Sequence, residues 1–292
     1  MSPPMLSIVI PVYDDQENLD RICHELMTNG PSEKWELVVV DDGSPEPLHM
    51  DLSENWSLIR HEEQRGAAQA RNTGAKATTG VYLGFLSVFL RFPETYVARI
   101  LSLLEQPSFD IAQHLLVKPS DMEADHFQEY IVDQNRRVSK QTDSLPVKQT
   151  QFAATLLTRA AFMAAGGFDE HMNHYGGHEL DLAYRLDQQG FSKRVIIPDL
   201  SLERVSLENH IRIETRLREY GQTGLPALLT KHPELKTTIL VFPVWWVLLK
   251  NTGVFRLMER YLRHRIEKDV QLPAWQYRLY LHLIVRNAWD AR

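Results

Sequence analysis

Three short stretches of this sequence carry residues able to move a proton or hold a ligand. In GGFDEHMNHYGGHELDLAYRLDQQG (166–190), His178, Glu179 and Asp181 open an amphipathic helical run behind a pair of glycines. Two carboxylates and an imidazole beside a glycine-flanked loop supply what a general base needs, a movable approach and a group of tunable pKa. Acidic residues in a first turn also favour a helix whatever the function. DDGS (41–44) sets Asp41 and Asp42 at the tip of an apolar run, where carboxylates accept hydrogen bonds from hydroxyl or imide groups. The same four residues also make an ordinary turn. GAAQARNTG (66–74) offers Arg71 and Asn72. An arginine there pairs with phosphate, stacks on a base, or ties its helix to a strand-end aspartate, and the sequence leaves these open.

The elements that must position these residues are legible as alternating runs. LSIVIPV (6–12), WELVVVDDG (35–43), WSLIRHE (56–62), VYLGFLSV (81–88), FDIAQHLLV (109–117), FAATLLT (152–158) and KRVIIPD (193–199) read as strands. Between the first two, a helical period places Leu19, Ile22, Cys23 and Leu26 on one face. Near-continuous apolar strands alternating with helices predict an α/β fold, a mostly parallel sheet covered on both faces. Ligands of such sheets bind at the carboxyl ends of the strands, where Pro11, Tyr13, Asp41 and Asp42 fall. The stretch 118–147 is polar without clear periodicity and reads as an excursion from the core. After residue 199 the pattern is helical, with breaks near Gly221–Pro226, at Pro233 and at Pro273. The division expected is a first domain over 1–204 and a helical extension over 205–292.

Composition narrows the classes. With 292 residues, 43% hydrophobic and 24% charged, the chain can bury a large core. Its single cysteine, Cys23, excludes internal disulfides and multi-cysteine zinc patterns. The sequence lacks a Gly-x-Gly-x-x-Gly after the first strand and a P-loop, which removes the dinucleotide-binding and P-loop readings. A net charge of −6 and no basic face in the main domain argue against nucleic-acid binding. The start, MSPPMLSIVIPVYDD, has no basic n-region or long h-region, so no signal peptide is expected. The run 237–249 contains Pro243 and is shorter than the roughly 20 residues a membrane span needs. From 241 onward nine Lys/Arg face four Asp/Glu, and Trp245, Trp246, Trp275 and Trp289 lie in the same tail. Such a mixture suits a helix at a membrane interface, or an appendage that buries its aromatics.

PVYDD, VVVDDGS, GAAQARNTGA, the GVYLGFL-to-Pro93 segment and GGFDE followed by YGGHELDLAYRL occur in the order of family 2 glycosyltransferases of the GT-A fold, which residues 4–200 resemble. The resemblance implies a nucleotide-sugar donor, most often a uridine diphosphate sugar, held by Pro11, Tyr13, Asp41, Asp42, Arg71 and Ser87. It implies inverting transfer to a saccharide or lipid-linked acceptor, with a carboxylate deprotonating the acceptor hydroxyl. A cytoplasmic protein is expected, and the Trp-rich basic tail, on its membrane reading, sets it peripherally at the inner face of the membrane.

Two departures stand out. The family's metal-binding Asp-x-Asp is replaced by Ser87-Val88-Phe89, so Mg²⁺ or Mn²⁺, which require hard oxygen ligands, are not supported as cofactors. The family's Gly-Gly-Glu-Asp becomes Gly177-His178-Glu179, which puts Glu179 at the position of the base, with Asp181 in support and His178 adjacent. His210 lies where some relatives place a histidine near the metal. Arg91 is a candidate for the missing positive charge. The leading expectation is therefore a transferase without a metal. The alternative is a pseudoenzyme that keeps the fold as a sugar-nucleotide sensor or scaffold.

Overall fold

Apolar runs buried on both faces form the centre of a mixed sheet. Its strands are β1 (Leu6–Val12), β2 (Trp35–Asp41), β3 (Trp56–Arg60), β4 (Tyr82–Leu86), β5 (Leu90–Arg91), β6 (Ile111–Val117), β7 (Ala154–Thr158) and β8 (Arg194–Arg204). The order among the described residues is β3-β2-β1-β4-β7-β6-β8-β5. β3, β2, β1 and β4 run parallel, whereas β7 is antiparallel to β4 and to β6, and β5 to β8. This computed structural model describes residues 3–27, 33–51, 53–141, 145–172, 176–239 and 252–291.

Period-two alternation decides which helix each face of β1 meets. Ile8, Ile10 and Val12 pack in one cluster with α1 (Gln16–Met27) and α3 (Tyr96–Glu105). Val9 packs in another with α2 (Ala67–Ala77), α5 (Arg159–Ala164) and α6 (His178–Gln188). The face read for α1 is the buried one, Leu19, Ile22, Cys23 and Leu26. The seven runs read as strands are β1–β4 and β6–β8.

The chain divides into two compact units, Met1–Ser120 with Asn135–Asn173 and Glu179–Ser206, and Asp121–Gln134 with His174–His178 and Leu207–Arg292. The second unit thus takes in 121–134 and 174–178, which the sequence reading placed in the first domain. The stretch 118–147 is also more than an aperiodic excursion, because α4 (His126–Gln141) forms within it. Phe127 and Tyr130 drive this. They are buried with Phe255, Tyr277 and Tyr280, and the Tyr130 and Tyr277 rings stack at 4.7 Å.

The second unit also holds α7 (His210–Glu219), a π turn (Tyr220–Gly224), α8 (Leu225–Lys231), α9 (Lys236–Ile239), α10 (Val254–Glu267) and α11 (Ala274–Asp290). Its charges are paired inward: Glu214 accepts from Arg218, Arg263 and the Tyr280 hydroxyl. No helix among the described residues is long and apolar enough to cross a membrane. Trp275 is exposed, while Trp245, Trp246 and most of 237–249 lie outside the described residues.

Candidate functional site

The parallel strands β1 and β2 deliver their carboxyl ends side by side, and hydrogen bonds lock the two ends together. Past β1, Tyr13 is 43% exposed, and Asp14 takes a left-handed backbone (φ 50) that lets its N–H donate to Ser44 Oγ at 2.8 Å. Asp41 accepts from the N–H groups of Ser44 (2.9 Å) and Leu48 (3.2 Å) and from Arg60. Burial acts to raise its pKa, but the bonds from Ser44, Leu48 and Arg60 prevail and hold it below the usual carboxylate range. Asp42 accepts from the Arg65 and Gly66 N–H groups at 3.0 and 2.8 Å, which anchors the loop that opens α2. His61 Nδ1 donates to Asp42 at 2.8 Å, and its Nε2 meets Thr73 Oγ1 at 2.9 Å. A carboxylate has about four lone-pair sites, so these donors leave Asp41 and Asp42 little capacity for a ligand. Gly43 is required between them and Ser44. It has φ +73, and a Cβ there would lie 2.3 Å from the Glu63 carbonyl carbon.

α2 brings Arg71 against the glycine loop. Arg71 is 6% exposed, and its Nε and Nη1 have no hydrogen-bond acceptor among the described residues. Its guanidinium lies 5.5 Å from the Phe168 ring centroid, and its Nη1 lies 3.6 Å from Glu179 Oε1. Burial lowers the Arg71 pKa and Glu179 works against that shift. Phe168 is fixed from below by Phe85, Phe152 and Phe162 at 5.6, 5.3 and 5.7 Å. Asn72 fixes it from the side, donating to the Phe168 carbonyl at 2.8 Å and accepting from its N–H at 2.9 Å. Glu179 accepts from the Phe152 N–H at 3.0 Å while its side chain stays 29% exposed. The result is a buried cation with unused N–H groups beside a carboxylate that reaches solvent. Buried unsatisfied donors are rare enough in native structures to call for a partner.

Asp181, two residues further on in the first turn of α6, sits differently. It is fully buried and takes both Nε (3.0 Å) and Nη2 (2.7 Å) of Arg185, which also donates to the Ala165 and Gly167 carbonyls. This carboxylate therefore fixes the Gly166–Gly167 turn. His178 is half-buried at the start of α6. His210 opens α7 in the second unit, with its Nε2 buried and without a hydrogen-bond partner among the described residues. Arg91 pairs with Glu203 at 3.0 Å on an exposed edge. Ser87 starts a turn between β4 and β5 whose Val88 and Leu90 are buried in the core. The structure thus gathers Arg71 and Glu179 into one place and ties Tyr13 through Asp14 to the Asp41–Ser44 loop. The sequence reading missed Phe168 as the platform for Arg71, and Arg21 and Glu25 of α1, which hold the Ser87 turn. The i,i+4 spacing of Arg21 and Glu25 was the one available signal, and it looks like any helix-surface pair.

Residues 7–163 match the model of the family described as Glycosyl transferase family 2. A pre-mycofactocin glycosyltransferase of Mycobacterium tuberculosis is 27% identical across 98% of this chain and 62% of its own length. A validoxylamine A glucosyltransferase of Streptomyces hygroscopicus is 26% identical across 88% of this chain and 62% of its own. The chain thus spans less than two thirds of these relatives. Among solved structures, the Pyrobaculum calidifontis mannosyltransferase PcManGT in complex with GDP-Man and Mn²⁺ superposes with a TM-score of 0.58 at 17% identity, covering 100% of this chain and 89% of that one. Staphylococcus aureus TarS in complex with UDP gives 0.51 at 11% identity, covering 98% and 90%. At these identities the likeness establishes the fold, the GT-A arrangement read from the sequence.

Proposed function

Because the chain belongs to glycosyl transferase family 2, we propose that its first unit binds a nucleoside diphosphate sugar, UDP-linked, and transfers the sugar with inversion to a hydroxyl acceptor. The observation that carries this is Arg71, a 6%-exposed cation with two unused nitrogens, 3.6 Å from a carboxylate open to solvent. Arg71 holds the nucleotide. Pro11 and Tyr13 line its base side, Asp41, Asp42 and Ser87 shape the loops around it, and Glu179 faces the acceptor. In the transfer, the acceptor oxygen bonds to the anomeric carbon as that carbon's bond to the β-phosphate oxygen breaks. The acceptor proton passes to Glu179 and the nucleoside diphosphate leaves with the bonding pair. His178 and Asp181 support Glu179 as the first turn and the anchor of its helix. The retained pair of Arg71 and Glu179 favours a working enzyme over a sensor that has kept only the fold.

The test is titration calorimetry of UDP into the wild-type chain and Arg71→Met. The partner left behind, Glu179, is 29% exposed and stays hydrated, so the loss of Arg71 strands no buried charge, and Arg71 Nε and Nη1 give up no hydrogen bond. The variant is expected to melt as the wild type does and to bind UDP at least about tenfold more weakly, about 1.4 kcal/mol. Equal affinity in the two proteins removes Arg71 from the site.

The acceptor is read as a saccharide or lipid-linked hydroxyl, met at the cytoplasmic face of a membrane. Supporting this, α10 exposes Leu257 (63%) and Tyr261 (56%) next to the exposed Arg256 and Arg260, and Trp275 at the start of α11 is 59% exposed. Exposed apolar and aromatic side chains among arginines suit an interface with anionic lipids. The chain is expected to co-sediment with phosphatidylglycerol-containing vesicles and not with pure phosphatidylcholine, and Leu257→Glu with Tyr261→Glu to abolish it. Failure of the wild type to sediment with either ends the membrane reading.

A further inference from the structure

In this fold family the segment after β4 carries two aspartates for a divalent cation, and the residues at that place here do not fit one. Ser87–Leu90 folds as a turn in which the Leu90 N–H donates to the Ser87 carbonyl at 3.2 Å. The Ser87 hydroxyl oxygen accepts from the Phe89 N–H at 3.3 Å. The carbonyls of Val88 and Leu90 each accept from the Arg21 guanidinium at 2.8 Å, and that of Phe89 accepts from the Val205 N–H at 2.9 Å. Every oxygen of the turn therefore faces a donor of the protein itself. Arg21 is held in place by Asn18 and by Glu25, whose carboxylate also takes the Phe92 N–H at 2.9 Å. Val88 and Leu90, 5% and 1% exposed, anchor the turn in the core. Among the described residues no group of three or more His, Cys, Asp or Glu could hold a metal ion.

We infer that this turn excludes a divalent cation and that Arg21 is the residue that closes it, so that donor binding proceeds without Mg²⁺ or Mn²⁺. The inference rests on the donor reading given above. A divalent ion needs several hard oxygens, and a guanidinium in contact with two of the turn's carbonyls adds repulsion to their shortage. Arg21 is a positioning residue, acting through the turn.

The experiment pairs Mn²⁺ titration followed by electron paramagnetic resonance with UDP calorimetry in EDTA and in excess Mn²⁺, on the full chain. The expected results are a free-Mn²⁺ signal unchanged by the protein, with or without UDP beyond what UDP alone chelates, and UDP affinities within about twofold of each other. Uptake of Mn²⁺ by the protein, or UDP affinity rising about tenfold or more with it, overturns the inference. Ser87→Asp with Phe89→Asp is expected to take up Mn²⁺ only when Arg21→Gln is added, and uptake with Arg21 intact removes its role. If UDP binds in neither condition while Mn²⁺ stays free, the donor reading falls and the exclusion of metal stands.

Discussion

Glu179→Gln is expected to lower kcat by about 10²–10⁴-fold, the usual contribution of a general base, while UDP binds no more weakly than to the wild type. The amide keeps the carboxylate's shape, so the bond from the Phe152 N–H, 3.0 Å long in the wild type, can persist. Only proton acceptance is lost. Removing the negative charge 3.6 Å from Arg71 leaves that buried cation freer to attract an anionic nucleotide, which is why affinity is not expected to fall. The check is steady-state sugar transfer alongside UDP calorimetry on the same protein. A Glu179→Gln enzyme with wild-type kcat means that another group takes the acceptor proton.

Asp181→Asn is expected to fail by a different route. Asp181 is fully buried and its Oδ2 takes two N–H bonds from Arg185, and breaking a buried ion pair by removing one partner costs about 3–5 kcal/mol because the other charge remains uncompensated. For a unit of this size that corresponds to a fall in Tm of roughly 10 °C. The Gly166–Gly167 turn, whose carbonyl at Gly167 accepts from Arg185 at 2.7 Å, loosens with it. Measured well below the lowered Tm, kcat per folded molecule is expected to stay within a few-fold of wild type. An intact Tm with abolished turnover would assign the base to Asp181 and reverse the roles of the two carboxylates.

The centre of the sheet was legible because β1, β2, β4 and β7 are buried on both faces and so read as near-continuous apolar runs. β5 was not, since two residues carry no period and exist as a strand only through pairing with β8. α4 was missed because two aromatics, Phe127 and Tyr130, hold a polar helix, and what they pack on lies more than a hundred residues away. At the site, order and spacing singled out Arg71 and Glu179 as separate residues. Their approach depends on Phe168 and Asn72, whose bonds join positions 96 residues apart. Asp41 and Asp42 show the reverse limit: residue type suggested ligand acceptors, and tertiary donors take most of their lone pairs. The Ser87 turn announced a missing metal pair, but the closure by Arg21 depends on bonds across 67 and 69 residues.

The most direct measurement is release of UDP from a panel of UDP-sugars, with and without saccharide acceptors, by the wild-type chain and Glu179→Gln side by side in EDTA. The expected result is that one donor is consumed by the wild type, faster with an acceptor, and that Glu179→Gln releases UDP at about 10⁻² of that rate or less. Consumption at equal rates by both proteins would contradict the catalytic role of Glu179. No consumption of any UDP-sugar by a wild-type chain that still binds UDP would contradict the enzyme itself.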